Sequence, residues 1–166
     1  MDICIRLATP VDAPRCAEIH ADSWRYAYRS SIPADCLAAT TARFPRLWEK
    51  LLANNTDTQY VITKDEKILG FIGLMQSRDA DASDDTFEIG AIYFDPGFIG
   101  KGYGRQTVAW AKSELTSRGA KQITLWVLDE NHRAKAFYRA CGFRPDGTSK
   151  PSGLGDRTEE RMMLFV

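Results

Sequence analysis

Three glycines at alternate positions, Gly100, Gly102 and Gly104, stand between a strand-like run that ends at Pro96 and a helix-like run that starts near Gln106. Because they lack side chains, the backbone N–H groups of such a turn can approach a ligand closely. A helix that begins just behind the turn adds N–H donors without an intrahelical partner and a partial positive charge. This combination is typical of a phosphate-binding loop, and a pyrophosphate is the expected anion. The same glycines could instead form only a tight connection between a closely packed strand and helix.

A second strand and helix follow this loop. Residues 123–128 are mostly aliphatic or aromatic, as expected of a strand covered on both faces. Four residues then stand at positions i, i+3, i+4 and i+7, which predicts one stripe of a helix: Ala134, Phe137, Tyr138 and Cys141. Gly142 lies where a residue in the left-handed conformation would end that helix.

With these two strand–helix segments in this order, the chain resembles the GNAT superfamily of N-acetyltransferases. The phosphate loop of that family reads Gln/Arg-x-x-Gly-x-Gly/Ala, and residues 99–104 stand at the matching positions. The family's second motif, Asn-x-x-Ala-x-x-Phe-Tyr-x-x-x-Gly-Phe, is complete from Asn131 to Phe143. One position departs from the pattern, because Ile99 stands where the family has Gln or Arg. This change removes a polar contact near the cofactor phosphates but leaves the backbone of the loop intact.

The resemblance implies a fold, an activity and a co-substrate. The pattern along the chain gives the order β-α-α-β-β-β-α-β-α-β-β, a mixed α/β fold. It agrees with the GNAT architecture, a central mixed sheet of six to seven strands flanked by about four helices. We expect one domain over residues 1–166 that transfers an acetyl group from acetyl-CoA to a primary amine by direct attack on the thioester, without a metal. The resemblance assigns the following residues to the cofactor: Ile92, Tyr93, Phe94, Ile99, Gly100, Lys101, Gly102, Tyr103, Gly104, Arg105, Asn131, Ala134 and Phe137.

Acetylation of an amine needs a base and an acid. Near pH 7, deprotonation costs about 4.6 kcal/mol for a lysine-like amine and about 1 kcal/mol for an α-amino group. Glu88 is the candidate base, because it lies in a mostly apolar strand 16 positions before Gly104, the spacing found in the family's histone-acetylating branch. Tyr138 is the candidate acid that protonates the leaving thiolate. Alternatively, Glu88 faces solvent and Tyr138 only packs on the buried stripe of its helix.

Other residues have equally open roles. Asn131 could cap the following helix, and the resemblance gives it a hydrogen bond to the pantetheine arm; both roles can coexist. His20, Trp24 and Tyr28 recur at i, i+4 and i+8, and the resemblance places them in the wall of the acceptor site. They could instead be an aromatic stripe packed against the sheet. Asp22 or the acidic loop 79–85 could attract a cationic amine, or the loop could be a solvated surface.

Three function classes compete. The first is an enzyme that acetylates a small amine or an amino-acid-like metabolite, with a peptide N-terminus or a lysine as the second choice of acceptor. The second is a non-catalytic acyl-CoA-binding module, which the presence of both Glu88 and Tyr138 disfavours. The third is a dinucleotide-binding domain, which would need Gly-x-Gly-x-x-Gly rather than the alternate glycines found here.

Composition excludes several partners. The 166 residues are 44% hydrophobic and 27% charged, with 22 basic and 22 acidic residues. A formal net charge of zero does not favour nucleic acid, and no apolar stretch approaches the length of a membrane span. The four cysteines lack C-x-x-C spacing and the two histidines are far apart, so we expect reduced, buried thiols and no metal site. The sequence predicts a soluble, cytoplasmic protein and leaves a homodimer open.

The remaining pattern predicts the elements that position these residues. Strands are predicted over 2–7, 59–63, 68–76, 87–94, 123–128, 144–150 and 161–166, the second and third forming a hairpin. Helices are predicted up to about Tyr28, over about 33–53 with an open break near Phe44-Pro45, from about 106 to 119, and after Asn131. The side chains expected to face inward on the first two helical stretches are Cys16, Ile19, Ser23, Tyr26, Leu47, Leu51 and Leu52.

Overall fold

The fold was obtained as a computed structural model, which describes residues 3–54 and 58–166. Its strands are β1 (Cys4–Leu7), β2 (Gln59–Lys64), β3 (Lys67–Gln76), β4 (Thr86–Phe94), β5 (Gln122–Leu128), β6 (Arg144–Pro151) and β7 (Thr158–Phe165). Its α-helices are α1 (Ala13–Tyr28), α2 (Ala34–Thr41), α3 (Phe44–Ala53), α4 (Tyr103–Ser117) and α5 (His132–Ala140). The mixed α/β prediction is confirmed. The helical stretch predicted over 33–53 consists of two helices, α2 and α3, and the break lies just before Phe44, where the sequence left a break open. Asp2, in the first predicted strand, lies outside the described residues.

The strands form one seven-stranded sheet in the order β1-β2-β3-β4-β5-β7-β6. The expected mixed sheet of six to seven strands is thereby confirmed. Strands β1, β2 and β3 are antiparallel neighbours. The parallel pair β4–β5 is in register from Thr86–Gln122 to Glu88–Thr124. Strand β7 lies antiparallel to both β5 and β6. The parallel pair therefore includes β4, the strand that carries Glu88.

Contacts divide the chain into two compact units. The first unit comprises Met1–Gly73 and Ala91–Thr107, and the second comprises Leu74–Gly90 and Val108–Val166. The first unit contains α1, α2, α3 and the glycine loop. The second contains Glu88, most of α4, and the chain from β5 to β7. Each unit is described separately below.

The core of the first unit lies between α1, α3 and strands β2 and β3. Cys16 and Ile19 of α1 are fully buried, as predicted. On α3, Phe44, Trp48 and Leu52 are 5%, 2% and 2% exposed. These three residues stand at i, i+4 and i+8 and so share one face of the helix. The largest apolar side chains of α3 thus occupy the buried face.

Three inward-facing predictions for this unit are wrong. Tyr26 of α1 is 38% exposed, and Leu47 and Leu51 of α3 are 41% and 39% exposed. On α3, the leucines flank the Phe44–Trp48–Leu52 face, where burying the two aromatic rings removes more apolar area from water. Leu47 and Leu51 are therefore partly exposed, because Phe44 and Trp48 occupy the buried face of the helix.

An ion pair fixes the chain just before α1. Both oxygens of Asp12 accept hydrogen bonds of 2.8 Å from the Arg6 guanidinium. One of them also accepts from the Thr9 N–H at 2.8 Å. The hydrogen bonds from Arg6 are the main reason that the pKa of Asp12 falls to about 2. Thr9 and Asp12 thus act together at the short 3₁₀ turn that leads into α1.

The second unit has its own core. Val108, Ala111 and Leu115 of α4 are at most 1% exposed. Helix α5 ends at Gly142, whose φ is +102°. The N–H groups of Gly142 and Phe143 donate at 3.0 Å to the carbonyls of Arg139 and Tyr138. This is the Schellman arrangement, and it confirms the predicted left-handed helix end.

All four cysteines are free. Cys16 is buried, and burial raises the pKa of its thiol to about 12. Cys4 and Cys36 are exposed, so the expectation of buried thiols is wrong for these two. Within residues 3–54 and 58–166, no helix is both long enough and apolar enough to span a membrane.

Candidate active site

The glycine loop follows β4 in the first unit. A 3₁₀ turn over Pro96–Phe98 connects the strand to the loop, and Asp95 caps it by accepting the Gly97 N–H at 2.9 Å. Gly100 and Gly102 have φ values of +82° and +85°. A side chain added at either position would meet open space, so backbone conformation, and not lack of room, favours glycine there.

Helix α4 begins at Tyr103, three residues earlier than the predicted start near Gln106. The carbonyl of Gly102 accepts the N–H of Gln106 at 3.4 Å, so Gly104 and Arg105 belong to the first helical turn. N–H groups of a first turn have no carbonyl partner within their helix, and the helix dipole adds a partial positive charge there. The glycine loop and this helix start together form an arrangement that can bind an anion.

Two lysines lie beside this loop. The Nζ of Lys64, at the end of β2, is 3.2 Å from the hydroxyl of Tyr103 and donates to it. The Nζ of Lys101 lies 4.9 Å from the ring centroid of Phe98. Lys101 was predicted from the loop motif. Lys64 was missed, because it precedes Tyr103 by 39 residues and only the fold brings it to the loop.

The end of β4 contacts α1 in the same unit. Ile92, Tyr93 and Phe94, all predicted to bind the cofactor, are half-buried. The hydroxyl of Tyr93 accepts the indole N–H of Trp24 at 3.2 Å. The carbonyl of Phe94 accepts the hydroxyl of Ser23 at 2.6 Å. The side chain of Tyr93 and the carbonyl of Phe94 are therefore occupied in holding α1 against the strand.

His20, Trp24 and Tyr28 belong to an aromatic cluster within the first unit. The cluster consists of His20, Trp24, Tyr28, Phe44, Trp48, Phe71 and Tyr93. The ring of His20 stacks on Phe44 with centroids 3.7 Å apart, and its Nδ1 accepts the Trp48 indole N–H at 3.3 Å. Burial lowers the pKa of His20 to about 4, so the imidazole is neutral at pH 7. The alternative reading, an aromatic stripe packed in the fold, describes His20 well.

Glu88 is buried in the second unit and forms an ion pair with Arg78. Its residue is 4% exposed, so the alternative of a solvent-facing glutamate does not hold. The Nη2 of Arg78 donates to Oε1 of Glu88 at 3.1 Å. The backbone N–H of Arg78 lies 3.5 Å from the other carboxylate oxygen. The candidate base is thus a buried carboxylate that Arg78 holds by its guanidinium and its backbone N–H.

Tyr138 and Asn131 lie on and just before α5 in the second unit. Tyr138 is half-buried, with its ring centroid 5.2 Å from Phe137 and 6.0 Å from Phe143. The side-chain oxygen of Asn131 accepts the N–H of Ala134 at 3.1 Å, which confirms the helix cap. The cap uses the oxygen of the amide and not its nitrogen, so capping and cofactor contact remain compatible.

The acidic loop between β3 and β4 is tied down by an arginine that the sequence reading missed. Arg161 of β7 is 7% exposed and forms ion pairs with Asp79, Asp81 and Asp146 at 3.2, 2.7 and 2.6 Å. We call these four residues the arginine clamp. The indole N–H of Trp126 also donates to Asp79, at 3.1 Å. The alternative of a solvated surface is therefore wrong for Asp79, whose side chain is 13% exposed, whereas Asp81 is 64% exposed although it is paired.

Two further features bear on ligands. Among the residues that the structure describes, no group of three or more His, Cys, Asp or Glu side chains could hold a metal ion. A cleft of about 430 Å³ lies at the outer end of strands β1 and β2, lined by Cys4, Arg6, Thr63, Lys64, Asp65 and Glu66. None of the predicted site residues lines this cleft.

Known proteins resemble this chain in sequence. The acetyltransferase (GNAT) family matches residues 14–143. The uncharacterized N-acetyltransferase YuaI of Bacillus subtilis is 28% identical over 141 residues, which are 83% of this chain and 78% of that protein. The mycothiol acetyltransferase of Beutenbergia cavernae is 42% identical over 69 residues, which are 42% of this chain and 23% of that much longer relative.

Solved structures share the fold. The paia N-acetyltransferase from Thermoplasma acidophilum, in complex with coenzyme A, has a TM-score of 0.81 at 19% identity, over 100% of both chains. The yncA protein of Salmonella typhimurium, with its cofactor acetyl-CoA, has a TM-score of 0.69 at 17% identity, over 99% of this chain and 94% of that one. At these identities the likeness concerns the fold alone. The family match over residues 14–143 covers most of the chain, and this protein therefore belongs to the GNAT family of acetyltransferases.

Proposed function

We propose that this acetyltransferase uses acetyl-CoA to acetylate the primary amine of a small molecule. The observation that carries the proposal is the glycine loop, where two positive-φ glycines directly precede the start of α4. Loops of this form bind diphosphates through backbone N–H groups. Coenzyme A carries such a diphosphate.

The residues of the first unit fit this cofactor. The N–H groups of the loop and of the first turn of α4 would hold the pyrophosphate, with Lys64 and Lys101 adding positive charge. The fit does not depend on any side chain of the loop itself, since the donors belong to the backbone.

The second unit carries the acid and the base. Acetyl-CoA supplies an activated acetyl group on a thioester. Glu88 accepts a proton from the substrate ammonium, and its burial keeps water from competing for that role. The amine nitrogen then forms the new N–C bond while the C–S bond breaks. Tyr138 gives its phenolic proton to the departing sulfur. The nitrogen, which still carries one proton too many for an amide, loses that proton to water. Tyr138 then recovers a proton from water.

A thiol-release assay tests this function. Acetyl-CoA is incubated with the protein and a panel of amino acids, monoamines, polyamines, aminoglycosides and short peptides, and free coenzyme A is measured over time. We expect saturable release with at least one small amine and formation of its N-acetyl product. Calorimetric binding of coenzyme A without turnover of any amine would favour a non-catalytic binding module. Failure to bind coenzyme A at all would overturn the assignment of the loop.

A further inference from the structure

Arg78 presents an exposed guanidinium beside the buried carboxylate of Glu88. The side chain of Arg78 is 73% exposed, whereas that of Glu88 is 5% exposed. One nitrogen of the guanidinium, Nη2, donates to Glu88. Within the part of the chain that the structure describes, the guanidinium makes no other hydrogen bond. A guanidinium has five N–H donors in a planar fork that suits carboxylates, so most of this fork is available to a ligand.

The two charges form a pair of opposite sign at short range, with Nη2 of Arg78 and Oε1 of Glu88 3.1 Å apart. An α-amino acid is the complementary small molecule, because its ammonium and its carboxylate are bonded to the same carbon. We propose, building on the acetyltransferase function above, that the acceptor is an α-amino acid or a close analogue whose carboxylate binds Arg78. In this arrangement the amino group faces Glu88, the group that removes its proton.

The arginine clamp supports this proposal by fixing the backbone next to Arg78. Asp79 directly follows Arg78 and is held by Arg161 at 3.2 Å and by Trp126 at 3.1 Å. The carboxylate of Asp79 is 13% exposed, so these contacts are shielded from water. Arg78 is therefore a side chain mounted on a fixed loop, and its guanidinium is held within reach of Glu88.

The same clamp argues against a polyamine or another polycation as the acceptor. The carboxylates of Asp79 and Asp81 are engaged by Arg161. Asp85 of the same loop pairs with Lys121 at 3.0 Å. A second ammonium close to the reacting amine would also meet Arg78, and like charges at short range repel. A zwitterion avoids this repulsion and gains an ion pair instead.

Matched acceptor pairs test the proposal. Leucine, phenylalanine and methionine are each compared with the amine that lacks their carboxylate, by initial rates of thiol release. The proteins are the parent, Arg78→Met and Arg78→Lys. The control is Arg46→Met, which replaces an exposed arginine of α3. Because each ratio of kcat/KM is compared between variants, the different basicity of the two amines in a pair cancels.

We expect the parent to prefer at least one amino acid over its matched amine by about tenfold or more, as a charge-assisted hydrogen bond provides. Arg78→Met should abolish this preference, mainly through KM of the amino acid. Arg78→Lys should retain part of it, and Arg46→Met all of it. An unchanged ratio in Arg78→Met would overturn the proposal, and so would equal losses for both members of a pair. Turnover of simple amines but no amino acid would overturn it while leaving the acetyltransferase function intact.

Discussion

A buried carboxylate with an exposed partner can exchange that partner without moving its own side chain. Glu88 is such a group, since its side chain is 5% exposed and that of Arg78 is 73% exposed. An isolated carboxylate in this position would be unfavourable, because burial without a counter-ion removes its hydration. Arg78 provides the counter-ion in the ligand-free protein. When Arg78 turns to the carboxylate of an acceptor, the ammonium of that acceptor can take its place beside Glu88 and lose a proton there.

Tyr138→Phe isolates the proposed acid at the scale of one atom. The substitution removes a hydroxyl and almost no volume, so the melting temperature and the affinity for coenzyme A should hardly change. If the hydroxyl protonates the leaving sulfur, kcat should fall by roughly 10²–10⁴. Steady-state rates at saturating acetyl-CoA measure the effect. A variant that turns over at the parent rate would leave Tyr138 as a packing residue of α5.

Glu88→Gln tests the base through the dependence of rate on pH. The change keeps the shape and removes the charge, so kcat/KM should fall most at neutral pH, where a lysine-like amine needs about 4.6 kcal/mol to lose its proton. Raising the pH toward the pKa of the acceptor should partly restore the rate, because the neutral amine then forms in water. If the profiles of variant and parent superimpose with every acceptor, a water molecule and not Glu88 removes the proton.

At the scale of elements, two glycines in the left-handed conformation have different roles. Gly102 and Gly119 have φ values of +85° and +94°, and a side chain at either would meet open space. Gly102 lies in the proposed diphosphate loop, whereas Gly119 only ends α4. A side chain would strain the backbone to a similar extent at both positions, so the same substitution at each gives a matched pair of variants.

Gly102→Ala and Gly119→Ala should each lower the free energy of unfolding by about 1–2 kcal/mol, the cost of a left-handed alanine. Only Gly102→Ala should weaken binding of acetyl-CoA, because strain relieved by a shifted loop misplaces the N–H donors. Chemical denaturation and calorimetric titration measure the two effects. Loss of affinity in both variants, or in neither, would contradict the role of the loop.

Ile99→Gln should bind acetyl-CoA as well as the parent or better.

The packing of α1 against α3 should make stability depend on pH through His20. The pKa of His20 is about 4 in the folded protein because burial disfavours its charged form, against 6.5 for an unburied histidine. Between these values the unfolded chain binds the extra proton, so the free energy of unfolding falls as the pH falls from 6.5 to 4. The full loss is on the order of 3 kcal/mol.

Urea unfolding at several pH values measures this dependence, and His20→Phe should flatten it. The variant also removes the acceptor of the Trp48 indole N–H, so its stability at pH 7 is expected to be lower and only the slope is compared. A second loss below pH 3.8, as Asp12 is protonated and its bonds to Arg6 weaken, should remain in the variant. An unchanged slope between pH 6.5 and 4 would contradict the burial of a neutral imidazole.

At the scale of the whole molecule, features that depend on neighbouring residues could be predicted from the sequence, whereas contacts between distant residues were missed. The cap at Asn131 and the helix end at Gly142 were predictable, because each depends on hydrogen bonds within a few residues. The start of α4 was placed too late, since glycine at position 104 lowers helix propensity although a first turn tolerates it. Arg161 was missed because its partners Asp79 and Asp81 lie about 80 residues away.

Arg161→Met should show how much the second unit depends on these distant contacts. The substitution leaves Asp79 and Asp146, which are 13% and 15% exposed, without their cation. Removal of one partner from a buried ion pair typically costs 3–5 kcal/mol, so we expect a loss of about that size. Arg25→Met is the control, since its pair with Asp22 is exposed and should contribute at most about 1 kcal/mol. Equal losses in the two variants would mean that the clamp adds no stability.

The buried thiol of Cys16 also provides a chemical probe of motions that open the core of the first unit. With a pKa of about 12, Cys16 holds on the order of one thiolate in ten thousand at pH 8, and its burial also keeps reagents away. An alkylating reagent should therefore modify the exposed Cys4 and Cys36 at once and reach Cys16 only when the core opens. The rate of that slow step reports how often α1 leaves the core. Its acceleration or slowing by coenzyme A would register ligand binding without any engineered label.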